Sequence, residues 1–139
     1  MIVLDTNVLS EALKPLPSDA VLRWLGAQAP SDAFTTSITV AEILYGIEML
    51  PAGKRRAQLL AATEKMFVEQ FEDRILPFDE SAARLFAGIV ASRVAFGRPI
   101  SQLDAMIAAI ARLHRAALAT RNTADFENCG ITLIDPWNV

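Results

Sequence analysis

Four acidic residues stand where this 139-residue chain could use them for chemistry. Asp5 ends the apolar run Ile2-Val3-Leu4 and opens Asp5-Thr6-Asn7. Glu42 lies in Thr39-Val40-Ala41-Glu42. Asp104 lies in Ser101-Gln102-Leu103-Asp104. Asp125 comes one short turn after Thr120-Arg121-Asn122. Each falls at the boundary of a strand or helix. A carboxylate at the end of a buried strand loses solvation and is rarely needed for folding. Four that converged would repel one another unless a cation joined them. Hard oxygen ligands of this kind hold Mg²⁺ or Mn²⁺ through a few carboxylates and several waters. The chemistry such a site serves is phosphodiester hydrolysis, in which the cation activates water and stabilises charge on the phosphate. Thr6, Asn7, Thr120 and Asn122 are the neutral neighbours suited to orienting the acids and their waters. The helix acids also have structural uses. Ser101 with Asp104 three residues later approximates a capping box, and a first-turn acid suits the helix dipole. The metal reading therefore rests on the four acids together.

Such residues need elements to carry them. Ile2–Leu4 predicts a buried strand, and Leu9 to Leu13 a brief helix ended by Pro15 and Pro17. Ser18 or Asp19 caps a helix through Leu25, and Phe34-Thr35-Thr36 predicts a second strand. Ser37 or Thr39 opens a helix with Val40, Ile43, Leu44, Ile47 and Leu50 on one face, stopped by Pro51 and Gly53. That puts Glu42 near a helix start. A long helix follows from Lys54 to Phe71, then a short strand at Ile75–Phe78. Asp79 or Ser81 caps a helix to about Phe96, and Ser101 starts another carrying Asp104. Ala117–Ala119 predicts a fourth strand, Ala124–Glu127 a helical turn, and Ile131–Ile134 a last strand. Short apolar strands alternating with helices, without hairpin turns, indicate a parallel α/β sheet in a three-layer α/β/α domain.

Composition narrows the class. Apolar residues make up 53% of the chain, which excludes a disordered protein and leaves a surplus suited to a dimer or partner interface. The single cysteine, Cys129, permits no intrachain disulfide and fits a reducing, cytoplasmic setting. The opening residues have no basic segment before an apolar core, so no secretory leader is expected. No stretch is long and apolar enough to suggest a membrane span. His114, the only histidine, sits at a predicted helix end, where a cation is favourable and no catalytic part is expected.

The sequence resembles the PIN-domain family. Ile2-Val3-Leu4-Asp5-Thr6-Asn7-Val8 is similar to its opening strand, and Thr39-Val40-Ala41-Glu42 to its second acidic motif. Leu103-Asp104-Ala105-Met106-Ile107-Ala108 is similar to the third motif, and Ala119-Thr120-Arg121-Asn122-Thr123-Ala124-Asp125-Phe126 to the fourth. Order and separations match along the whole chain, so residues 1–139 are read as one PIN-like domain. Within the family the chain looks most like VapC-type toxins of the FitB-like branch, given Ile75-Leu76-Pro77-Phe78-Asp79 and Asp135-Pro136-Trp137. The resemblance implies the toxin of a type II toxin–antitoxin pair. It further implies a Mg²⁺- or Mn²⁺-dependent endoribonuclease, a homodimer, and an antitoxin that blocks the site. It carries catalytic and metal-binding roles onto Asp5, Glu42, Asp104 and Asp125. In the fourth motif Asn122 and Asp125 are both placed to complete the site, and Asp125 is the acid. Two other classes remain. A phosphatase using Asp5 as nucleophile usually wants a second acid two residues on, where this chain has Asn7. A non-catalytic binding module with this fold has no need of all four acids.

The cations suggest how RNA would be met. Arg98 precedes the Asp104 helix and Arg121 lies in the fourth motif, so both are expected to rim the site. Lys54 begins the run Lys54-Arg55-Arg56, which reads first as a solvated helix start, while its place at the unfavourable end of a helix dipole also points to a compensating anion. RNA phosphate or an acidic antitoxin segment would supply it. The formal charge of −3 seems to oppose nucleic acid. Setting aside the four site acids leaves 13 positive residues against 12 negative, so the acidic balance is largely the site itself.

Overall fold

β1 (Ile2–Leu4) is the middle strand of a five-stranded sheet in a computed structural model that describes residues 1–139. Its neighbours are β2 (Ala33–Thr36) on one side and β4 (Ala117–Ala119) on the other. β3 (Ile75–Leu76) and β5 (Leu133–Ile134) form the edges, in the order β3-β2-β1-β4-β5, all parallel. The chain first builds outward from β1 through β2 to β3. It then crosses back to lay β4 on the opposite side of β1. The order of strands therefore reverses between β1 and β4, and such a switch point leaves a crevice beyond the strands' carboxyl ends.

Six helices cover the sheet: α1 (Thr6–Ala12), α2 (Asp19–Gly26), α3 (Ser37–Glu48), α4 (Lys54–Gln70), α5 (Glu80–Ala95) and α6 (Gln102–Leu113). Successive strand residues point to opposite faces. Val3 and Leu118 enter one core with Ile89 of α5 and Ile107 and Ile110 of α6. Leu4 and Ala119 enter the other with Val8, Val21, Ile43 and Phe67 from α1 to α4. Both faces are thus apolar, which is why the strands read as unbroken apolar runs. No helix is long and apolar enough to cross a membrane.

Two helix starts differ from those predicted, each through a cap. α1 starts at Thr6 rather than Leu9, because the Asp5 carboxylate accepts from the Thr6 N–H at 2.8 Å and serves as its N-cap. α3 is capped by Thr36 rather than Ser37 or Thr39, its hydroxyl accepting from the Thr39 N–H at 3.1 Å. Glu42 consequently lies in the second turn, beyond the first-turn dipole position, so its acidity needs another explanation. The edge strands are also shorter than expected. β3 stops before Pro77, and β5 covers only Leu133–Ile134. Ser18, Asp79 and Ser101 cap α2, α5 and α6 as their side chains suggest.

Leu118 is fully buried on the central pair of strands. Leu118→Ala should lower unfolding free energy by about 2–5 kcal/mol in urea titrations without moving the site acids.

Candidate active site

The crevice between β1 and β4 is closed at its floor by two adjoining polar side chains. Asp5 immediately follows β1 and is 4% exposed, while Thr120 immediately follows β4 and is fully buried. The Thr120 hydroxyl donates to Asp5 Oδ2 at 2.7 Å, and the Asp5 N–H donates to the Ala119 carbonyl at 2.9 Å. Asn7 reinforces the pair. Its amide lies 3.3 Å from both Asp5 Oδ2 and Thr120 Oγ1, and its carbonyl oxygen accepts from the Arg121 N–H. Asn122 joins through its backbone N–H, which donates to Thr120 Oγ1 at 3.1 Å, while the residue itself is exposed.

Glu42 reaches the site by a different route. The Thr6 hydroxyl donates to Glu42 Oε1 at 2.7 Å. Thr6 Oγ1 also lies 3.1 Å from the Thr39 hydroxyl, which is 3.4 Å from that of Thr36. Three threonines thus connect the end of β2 to the Glu42 carboxylate, and Thr6 serves both acids, its hydroxyl orienting Glu42 and its N–H bonding Asp5. In the sequence Thr36 reads only as a strand residue and Thr39 as a helix opener and motif residue, neither as a support for Glu42. The available signal was their spacing at the end of an apolar strand, shared with many ordinary helix caps.

Burial is the main reason the Asp5 carboxyl is pushed up to about 6. Hydrogen bonds from Thr120 and the Thr6 N–H oppose the rise, while the negative charges of Asp104 and Glu42 add to it. Asp104, at the first turn of α6, is also raised, chiefly by burial and further by Asp125. Asp5 thus feels the charges of Glu42 and Asp104, and Asp104 feels that of Asp125, which links the four acids electrostatically into a row. They do not close into a cage: no three acidic, histidine or cysteine side chains gather tightly enough to hold one ion unaided. The four expected site acids are thus brought within electrostatic reach of one another, without three of them gathering into one tight ligand set. Such an arrangement still suits Mg²⁺ or Mn²⁺, which take one or two carboxylates and keep several waters.

The cations are more engaged than predicted. Arg98 pairs with Glu127 at 2.7 Å and also donates to the Ala124 carbonyl. Arg121 stacks over the Trp137 ring at 5.0 Å, joining the C-terminal segment to the fourth motif. Arg56 pairs with Glu48 at 2.9 Å, so an internal acid supplies the anion that the basic run called for. Lys54 is exposed at the start of α4, whereas its neighbour Arg55 lines a groove of about 520 Å³ that also contains Thr6 and Glu42.

The residues from 2 to 130 match the PIN-domain family model. The chain belongs to the PIN-domain family. This PIN domain is 42% identical over 137 residues to the VapC ribonuclease Y4jK of Sinorhizobium fredii, covering 99% of this chain and 98% of the relative. It is 38% identical to toxin FitB of Neisseria gonorrhoeae, covering 99% of each. The crystal structure of FitAcB from the same organism superposes with a TM-score of 0.95, covering all of both chains.

The raised Asp5 carboxyl has a consequence for stability. The folded state holds this proton up to about pH 6, whereas the unfolded chain releases it near 3.8. The metal-free fold should therefore lose stability as pH rises between these values, by up to roughly 3 kcal/mol from this group. Asp5→Asn should remove that slope and raise Tm at pH 7, as calorimetric scans from pH 4 to 7 will measure.

Proposed function

We propose that this protein is the toxin of a type II toxin–antitoxin pair and acts as a metal-dependent endoribonuclease. The observation that carries the reading is the acid row at the switch point of a chain 42% identical, over nearly its whole length, to a VapC ribonuclease. Asp5 and Asp104 are the principal metal ligands, with Glu42 and Asp125 extending the acidic surface toward bound water and substrate. Mg²⁺ or Mn²⁺ bound there would supply Lewis-acid activation of the attacking water and of the phosphate oxygens. The protein's own part is positional. Thr120 and Asn7 fix the plane of the Asp5 carboxylate, and the Thr36–Thr39–Thr6 chain fixes Glu42. Asp5 enters the reaction ionised, and the burial that resists ionisation is offset once a divalent cation is present.

Arg98 and Arg121 rim the site for the RNA backbone, and Arg55 is better placed than Lys54 to contribute from the groove. The cognate antitoxin blocks the same region. Exposed Phe96, Val94, Tyr45 and Met49 provide apolar surface for the homodimer and for the antitoxin. The protein works in the cytoplasm, where its RNA substrate is found. The phosphatase reading is weaker because Asn7, at the position for a general acid, is committed to Asp5 and Thr120. A binding module that had lost catalysis would not need the hydrogen-bonded support given to Asp5 and Glu42.

Asp5→Asn and Asp104→Asn should each abolish Mn²⁺-dependent RNA cleavage while leaving circular dichroism and the dimer unchanged. RNA cleavage surviving both changes would sink the assignment. RNA affinity measured by filter binding should be low without metal and rise with Mg²⁺.

A further inference from the structure

Arg93 is the one cation in the chain that is almost wholly buried, at 3% exposure. It lies in the last turn of α5, where the helix dipole favours positive charge. No carboxylate pairs with it. Its guanidinium is satisfied by backbone instead. Nε donates to the Arg98 carbonyl at 2.7 Å, and Nη1 donates to the carbonyls of Asp125 at 2.7 Å and Glu127 at 3.0 Å. Cys129 Sγ lies 3.6 Å from the same Nη1. The backbone at Asn128 and Gly130 is left-handed, with φ of 62° and 75°, and curls this segment around the guanidinium. Arg98 fastens the loop from outside, through Glu127 and the Ala124 carbonyl.

These bonds run to two places that matter for the acid row. One is the turn that leads into α6 and Asp104. The other is the loop that carries Asp125, gripped at the carbonyl of Asp125 itself. A buried unpaired charge is a costly way to fasten a loop, and an apolar side chain would fold more cheaply. What the guanidinium adds is a rigid fork reaching several carbonyls at once and a positive charge beneath the outer pair of acids. That charge also opposes the rise at Asp104.

We propose that Arg93 is a positioning residue for the nuclease reaction: it clamps the 122–129 loop so that Asp125 is held beside Asp104. The proposal rests on the reading of Asp125 as part of the metal site. Arg93→Lys keeps the charge but not the planar fork, and Arg93→Met removes both. In each, the Cys129 thiol should react several-fold faster with a disulfide reagent, since it is 1% exposed behind the clamp. Mn²⁺ affinity by calorimetry should fall about tenfold, as expected for a group that orients ligands. Cleavage should lose kcat with KM for RNA nearly unchanged. In an Asp125→Ala background, Arg93→Lys should cause no further loss of Mn²⁺ affinity, because the two act through one loop. Equal losses in both backgrounds, or an unchanged Mn²⁺ affinity in folded Arg93→Lys, overturn the proposal. Asp125→Ala with wild-type Mn²⁺ affinity fails the site reading itself, whereas Cys129 no more reactive in Arg93→Lys than in the wild type fails the clamp alone. Hydrogen exchange on the wild-type protein needs no variant. A slowly exchanging Asp125 amide supports the clamp, and one exchanging as fast as the C-terminal residues overturns it.

Discussion

The hydrogen bond from Thr120 to Asp5 is the contact on which the site depends. It joins the ends of β1 and β4, the two strands between which the sheet reverses order. Their residues are 115 apart in sequence, so this contact exists only when the whole sheet has been assembled. Asp5 has three simultaneous duties there. It caps α1, it tethers the fourth motif through Thr120, and it presents a carboxylate at the crevice. One residue thus couples the position of a helix, the register of the central strands and the chemistry. The cost is a carboxyl whose burial resists ionisation, and the hydrogen bonds from Thr120 and Thr6 only partly offset that cost.

The rest of the fold arranges acids around this point without letting them collapse together. α3 brings Glu42 from one side, oriented by hydroxyls rather than by a cation. α6 brings Asp104 from the other, its N-terminus capped by Ser101. Neutral supports keep the electrostatic field of the row intact. A lysine or arginine in salt-bridge contact with these carboxylates would neutralise the charge that an ion is to meet, and no ion pair involves any of the four. Positive charge is instead held a step away, in Arg93 below the loop and in Arg98 and Arg121 at the surface.

What could be read in the sequence followed from local chemistry. The apolar strands, most helix caps and the four acids at element boundaries all carry their signal within a few residues. The hydroxyl chain to Glu42 did not, because Thr36, Thr39 and Thr6 serve together only after β1 and β2 pair. Arg93 was equally invisible. In the sequence it sits in a helix of mixed polarity, where arginine ordinarily faces water, and its partners are backbone carbonyls that leave no trace in residue identity. The basic run at Lys54 is legible in the sequence as a solvated helix start, and Lys54 is exposed there. Its striking charge density is largely a local matter, with Arg56 answered by Glu48 eight residues earlier.

Net charge acquires a different meaning once the groups are placed. The chain carries −3, yet the four site acids account for more than that excess. The arginines at the rim are partly spent, Arg98 on Glu127 and Arg121 on the face of Trp137. A polyanion approaching the bare crevice would therefore meet carboxylates that no ion pair neutralises. On the proposed reading, a divalent ion reverses the sign of that local field, and substrate binding becomes conditional on it. The same arrangement suits a toxin held in check by a partner. A protein whose grip on RNA depends on one small, crowded acidic patch can be silenced by covering that patch, whereas one with a broad basic face would retain its hold elsewhere.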